Sequence, residues 1–479
     1  MTEIRFGTDG WRGLIADDFT FASVRLAARA IARRLRAEAA GPEAPLVLVG
    51  YDTRFLSREF AQTAAEAMAG EGVRVSLASD FAPTPAFSYA VVRQRAAGAV
   101  VITASHNPPQ YNGMKCKASY GGSAPVAFTR GVEEEIRQIS AESQGECGMR
   151  NAECGIGTFD AREPWLDRLE ELVDVSRIGR SGIRIALDVM YGAGQGLLSA
   201  RLQRAGCEVT ELHAELNPTF GGLHPEPIPK NMGALVECVR GWDGAGTRVG
   251  FAFDGDSDRI APVDEAGNVV TPHQVLALLV RHLARNRRMR GPVVKSVNIG
   301  HMVDLEAAAL GLPLTVTPIG FKFIAEAMQE QDALVGGEES GGFAVRGHTP
   351  ERDPGLIALL LLEQMAMTGK SLGGLVHEME AEYGTHRYGR VDLRLATLAE
   401  RDRVVAGLAA APPARLLDRP VREMNTLDGI KLIREDWSWV MLRASGTEPL
   451  LRIYAEARSD AEVQSLLDWG RGIATTDGC

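Results

Sequence analysis

Short apolar runs alternate with amphipathic stretches along most of the chain, and the order in which they alternate repeats. The run LVLVGYDTR (46–54) is followed by the helical stretch SREFAQTAAEAMAGEG, a second apolar run VRVSLAS, and a third, GAVVITASHNP. The same order returns in IRIALDVMYGAG (183–194), AGCEVTELH (205–213) and VGFAFDGDSDR (249–259). It returns again in VVKSVNIGHM (293–302), GLPLTVTPIG (311–320) and ALVGGEESGG (333–342). Helical segments between β-rich apolar runs predict parallel strands covered by helices on both faces.

Three loops then stand in one topological slot. TASHNP, DGDSDR and GEESGG each follow the third strand of a unit, and in open α/β sheets the carboxyl ends of strands are where ligands bind. If the units face a common cleft, one loop from each converges there. After about Tyr388 the pattern changes: GRVDLRL, a helical stretch and WSWVMLRASGTEPLLRIYAEA predict a small α+β domain. The expected fold is three similar mixed-sheet α/β domains, 1–150, 151–265 and 266–385, plus a smaller α+β domain, 386–479, around a central cleft.

Composition narrows the class. A chain of 479 residues exceeds one core, since single cores stop growing near ~250–300 residues. The net charge of −10 argues against a nucleic-acid or anionic-membrane partner but leaves room for an anionic small substrate in a basic cleft. The six cysteines form no CxxC pair, which argues against a zinc knuckle, and are too few in so long a chain for a disulfide framework. The longest apolar run, 356–362, is far below the roughly 20 residues of a membrane span. Met1 leads directly into TEIRFGTDG, with no signal-like segment, and a cytoplasmic location is expected.

Each loop has its own chemistry. DGDSDR crowds Asp254, Asp256 and Asp258, which repel unless a cation sits among them; hard cations such as Mg²⁺ prefer oxygen ligands. Glu265 falls at the twelfth position of an EF-hand counted from Asp254, but the glycine required at the sixth is Arg259, and the flanks read as strand and hairpin. Ser105 offers a hydroxyl that can act as a nucleophile or carry a phosphoryl group, and His106 can orient the loop or a substrate hydroxyl. Lys115 suits acid/base work if burial lowers its pKa. Arg443, Ser445, Gly446 and Thr447 in RASGTEP can cradle a phosphate with side chains and backbone amides. Glu338 and Ser340 suit sugar hydroxyls, while Arg12 in FGTDGWRG and Lys322 in GFK can meet a phosphate.

Taken together and in this order, FGTDGWRG, TASHNP, DGDSDR, GEESGG and RASGTEP resemble the α-D-phosphohexomutase superfamily across essentially the whole chain. The resemblance implies a phosphorylated Ser105 that exchanges its phosphoryl group with a hexose monophosphate through a glucose 1,6-bisphosphate intermediate. It implies one Mg²⁺ held by Asp254, Asp256, Asp258 and the phosphoserine, with Arg259 assisting the transferring phosphate. Arg12, His106 and Lys115 would join the catalytic group. Lys322, Glu338, Ser340, Arg443, Ser445, Gly446 and Thr447 would bind substrate. Two glutamates before the serine of GEESGG resemble the glucose-preferring branches. Enzymes for mannose or glucosamine phosphates more often carry Met or Gln at position 339 and His at 342. Glucose 1-phosphate and glucose 6-phosphate are therefore the expected substrates. The alternatives are a phosphomannomutase, a dual-specificity enzyme, a phosphoglucosamine mutase, a phosphohydrolase or a non-catalytic sugar-phosphate sensor. One departure stands out: relatives commonly read Lys or Arg, Asp, Gly where this chain has Arg352-Asp353-Pro354-Gly355, and the proline is expected to reshape that turn.

Overall fold

The computed structural model describes residues 4–7, 9–39, 41–142, 155–243, 246–446 and 448–475. The first sheet contains β1 (Trp11–Leu14), β2 (Leu46–Tyr51), β3 (Arg74–Ala78), β4 (Gly98–Ile102), β5 (Tyr111–Ala118) and β6 (Gly157–Phe159), in the order β1-β5-β4-β2-β3-β6. The second holds β7 (Arg184–Asp188), β8 (Glu208–Leu212), β9 (Arg248–Phe253) and β10 (Ile260–Val263), ordered β10-β9-β7-β8. The third holds β11 (Val293–Ser296), β12 (Leu314–Thr317), β13 (Val335–Gly337) and β14 (Phe343–Val345), ordered β12-β11-β13-β14.

In every unit the first strand lies between the second and third and runs parallel to both, and the third turns back into an antiparallel strand. The loops TASHNP, DGDSDR and GEESGG are those three turns: β4 to β5, β9 to β10, β13 to β14. The repeat in the sequence is thus a repeat in topology. β6 pairs with β3, so residues 157–159, beyond the expected boundary at 150, complete the first sheet.

The last unit is one antiparallel sheet of β15 (Arg387–Arg394), β16 (Arg415–Leu416), β17 (Arg419–Asn425), β18 (Ile430–Arg434), β19 (Trp439–Ala444) and β20 (Leu450–Ala457), ordered β15-β20-β19-β18-β17-β16. Helices Leu398–Ala410 and Asp460–Thr475 pack against it. It keeps its own core, and Trp439, Met441 and Tyr454 pack with Val297 at the joint with the third unit.

Pro354 does not distort its turn. Asp353 caps the helix Pro354–Thr368, its carboxylate accepting from Leu356 N, and Pro354 occupies the first helical turn, where a missing N–H costs nothing. That helix is buried nearly all round, which accounts for the long apolar run 356–362. No described helix is long and apolar enough to cross a membrane.

Candidate active site

The β4–β5 turn holds Ser105 in the left-handed region at φ 52°, an uncommon setting for a residue with a Cβ. Arg54, which leaves the adjacent β2, over-determines this conformation. Its Nη2 donates to the carbonyls of Ser105 (2.5 Å) and Asn107 (2.6 Å), and its Nη1 to those of Pro108 (2.9 Å) and Tyr111 (3.0 Å). Arg54 is 3% exposed and lies 3.3 Å from Asp52, so a buried cation fixes the loop from behind.

The hydroxyl of Ser105 donates to Asp254 Oδ2 at 2.9 Å, and His106 Nδ1 lies 3.4 Å from the same Oγ. Close approach of the two turns needs Gly255: a Cβ there would stand 2.6 Å from the Ser105 carbonyl oxygen. Thr84 closes the joint, donating its Oγ1 to Asp256 Oδ2 at 2.6 Å and its N–H to the Asp256 carbonyl at 2.9 Å.

Asp254, Asp256 and Asp258 are buried, each offering a carboxylate oxygen within 4.8 Å of the others. Burial, with Asp258 and Asp256 beside it, pushes Asp254 well above the usual carboxylate range. Asp256 Oδ1 and Asp258 Oδ1 are buried without a hydrogen-bond partner among the described residues. An all-oxygen set of crowded carboxylates with two unsatisfied oxygens fits a hard divalent cation.

Lys115 faces the same carboxylates from β5, its Nζ 2.9 Å from Asp9, 2.8 Å from Asp256 and 2.7 Å from Asp258. Burial acts to lower its pKa, but Asp256, Asp258 and Asp9 outweigh that and hold it above the ordinary lysine value. Three carboxylates thus offset the burial that would otherwise favour a neutral Lys115. His106 shows the opposite balance. Burial, Arg259 and Arg12 hold its pKa well below the usual histidine value, which favours the neutral ring.

These turns open onto a cleft of about 520 Å³ to which all four units contribute. Of the residues singled out in the sequence, Arg12, His106, Arg259, Lys322, Glu338, Ser340 and Arg443 line it. Arg12 donates to Asn107 Oδ1 at 2.7 Å, and Ser340 donates to Glu338 Oε1 at 2.6 Å. Among the described residues of RASGTEP, only Arg443 lines the cleft. Ser445 is buried, its amide donating to the Leu450 carbonyl, and Thr447 lies outside the described residues. Arg443 is joined instead by Arg452, its register partner on β20, and by Arg390 on β15.

Sequence reasoning missed Arg390, Arg452, Asp9, Arg54 and the role of Arg352. The buried guanidinium of Arg352 lies 2.7 Å from both Asp9 and Asp258 and 3.5 Å from Glu338, linking three units. An available signal for Arg443 and Arg452 was the strand alternation in WVMLRA and LLRIYAEA, which puts paired arginines on one face.

The chain matches family profiles over most of its length. Residues 3–143, 163–267 and 271–383 match the phosphoglucomutase/phosphomannomutase alpha/beta/alpha domains I, II and III, and 394–468 match the C-terminal domain. It is 30% identical over 465 residues to a phosphoglucomutase/phosphomannomutase of Thermococcus kodakarensis, covering 97% of each chain. The chain belongs to the phosphoglucomutase/phosphomannomutase family of α-D-phosphohexomutases. As such it is an isomerase that interconverts sugar phosphates by phosphoryl transfer.

Other relatives of this phosphohexomutase carry different substrate names. A phosphoglucosamine mutase of Rubrobacter xylanophilus is 30% identical over 484 residues, covering 99% of this chain and 98% of its own. A crystal structure from Thermus thermophilus, provisionally assigned as a phosphomannomutase, superposes with a TM-score of 0.85 at 36% identity, covering 99% of this chain and 100% of that one. Family membership therefore fixes the phosphohexomutase reaction and not the hexose.

Proposed function

We propose that the enzyme interconverts glucose 1-phosphate and glucose 6-phosphate through a phosphoserine at Ser105 and a glucose 1,6-bisphosphate intermediate. The observation that carries this reading is the convergence of the three turns on one cleft: His106, Arg259, Glu338 and Ser340 line it, with the Ser105–Asp254 pair buried beside His106 and Arg259, and the arginines Arg443 and Arg452 line it from the last domain. A hexose phosphate spans such a cleft with one phosphate at the reacting serine and the other on the arginines, and the two exchange places when the sugar turns over.

In this reading Asp254, Asp256, Asp258 and the phosphoserine would hold Mg²⁺, which would supply positive charge beside the transferring phosphoryl group. Arg259 and Arg12 flank the group in transfer. The neutral ring of His106, beside Ser105 Oγ, suits proton traffic at that oxygen, while Lys115 acts as a fixed positive charge. Glu338 and Ser340 accept and donate to ring hydroxyls in either orientation, and Lys322 supports the phosphate. In each half-reaction one P–O bond breaks at the donor oxygen and one forms at the acceptor, whose hydroxyl proton is passed on.

Glucose is favoured by Glu339 and Gly342 in GEESGG. Mannose phosphate is the second reading, favoured by the 36% identity to the Thermus structure. The test is turnover of glucose 1-phosphate, mannose 1-phosphate and glucosamine 1-phosphate with Mg²⁺ and a trace of the matching bisphosphate, with Ser105→Ala as control. Fastest turnover of glucose 1-phosphate, lost in the variant, is the expected result. Exclusive turnover of another hexose overturns the substrate, and phosphate release without isomerisation overturns the mutase reading.

A further inference from the structure

The two glutamates of GEESGG part company in the structure. Glu338 turns toward Ser340 and Arg352, within the network that reaches Asp9 and Asp258. Glu339, which also lines the cleft, faces the last domain: its Oε2 lies 3.9 Å from Arg390 Nη1 on β15 and 3.5 Å from Asn298 Nδ2. Arg390 is itself pinned. It donates to both Asp392 oxygens, from Nε at 2.8 Å and Nη2 at 2.9 Å, and lies over the ring of its register partner Tyr454.

The chain of charges continues into the phosphate anchor. Asp392 pairs in register with Arg452 and lies 3.9 Å from its Nε, and Arg452 pairs in register with Arg443. Glu339 thus faces, at 3.9 Å, the planar Arg390–Asp392 fork, whose carboxylate adjoins the arginines that line the cleft. Burial raises the Glu339 carboxyl and Arg390 offsets that, as expected of a carboxylate whose partner is this arginine.

We propose that Glu339 is a positioning residue that acts through Arg390 to set the distance between the sugar-reading pair Glu338/Ser340 and the Arg443/Arg452 anchor, and so selects substrates by span and not by touching a hydroxyl. This rests on the mutase reading of the cleft. A neutral side chain at 339 frees the last domain from the sugar turn and leaves the contacts of Glu338 and Ser340 in place.

The test is a double-mutant cycle of Glu339→Gln and Arg390→Gln, assayed on glucose 1-phosphate and mannose 1-phosphate. Each single variant is expected to raise KM by about 5- to 10-fold with kcat nearly unchanged, and the double variant to be no worse than the worse single. Glu339→Asp, which keeps the charge, is expected to recover part of the loss. Additive losses overturn the proposal. So does a change in glucose-to-mannose preference in Glu339→Gln that Arg390→Gln does not share, since Glu339 would then read the sugar directly. If Arg390→Gln fails to fold, Arg390→Lys, which keeps the charge but not the fork, takes its place. If the wild type turns over no hexose phosphate, the mutase reading fails, and the coupling is read by hydrogen exchange of β15. Faster exchange there in both single variants supports the link, and unchanged exchange overturns it.

Discussion

Ser105 Oγ donates a 2.9 Å hydrogen bond to Asp254 Oδ2, joining two turns that lie 149 residues apart. The acceptor belongs to a buried carboxylate triad whose own crowding raises Asp254 well above the usual range, after burial itself. Asp254→Asn is expected to lower phosphoryl transfer roughly 10²-fold or more and to shift Mg²⁺ activation to higher concentration. The same variant is expected to melt no lower than the wild type, because it removes a like charge. Mg²⁺ titration of activity and a thermal melt check both halves.

Gly255 carries a sharper geometric demand. A methyl group at this position would stand 2.6 Å from the Ser105 carbonyl oxygen and 3.4 Å from Pro225 Cγ, so the serine turn must move. Gly255→Ala is expected to cost about 10²-fold in kcat, the scale associated with an ångström-sized misplacement of a reacting group. Steady-state kinetics on the substrate found in the assay above reads this directly. Near-wild-type turnover would mean that the position of Ser105 is not critical.

Arg54 acts from behind the same turn. Arg54→Met keeps the length of the side chain but removes the donors to four carbonyl oxygens and leaves Asp52 buried without its cation. Losing one member of a buried pair typically costs about 3–5 kcal/mol. Urea denaturation is expected to show a loss of that size, with activity falling as Ser105 relaxes from its left-handed conformation.

These residues differ in how far the sequence reveals them. The three turns were legible because fully buried parallel strands read as continuous apolar runs, so an abrupt polar loop after the third run stands out. Arg352 was not legible in its role: its partner Asp9 is 343 residues away, and only the fold brings them to 2.7 Å. Arg390 was hidden by alternation, since a charged residue at every second strand position, as in Arg390, Asp392 and Arg394, reads as a solvated face until a neighbouring domain covers it. Pro354 misled because its chemistry was weighed alone. Asp353 before it completes a helix-start signature, and the two together predict the helix that the structure contains.

The joint between the third and last domains makes stability depend on pH in a definite direction. His273 and His301 are both pushed down to about 4, chiefly by burial. His273 Nδ1 accepts a 2.9 Å hydrogen bond from Gly300 N, which requires an unprotonated nitrogen. Between the ordinary histidine value of 6.5 and about 4, the unfolded chain binds protons that the folded chain refuses. Stability therefore falls as pH drops through that window, by on the order of 1–3 kcal/mol for each ring. Glu456 adds to the loss lower down: buried, but hydrogen-bonded to His386 and to the His301 amide, it is held to about 2, and its contribution fades as pH falls below the ordinary value of 4.5. Urea midpoints measured from pH 7 to pH 4 are expected to decline steadily, and His301→Asn to flatten the decline because asparagine does not titrate. A midpoint unchanged across this range would mean that the two rings take up protons without loosening the joint.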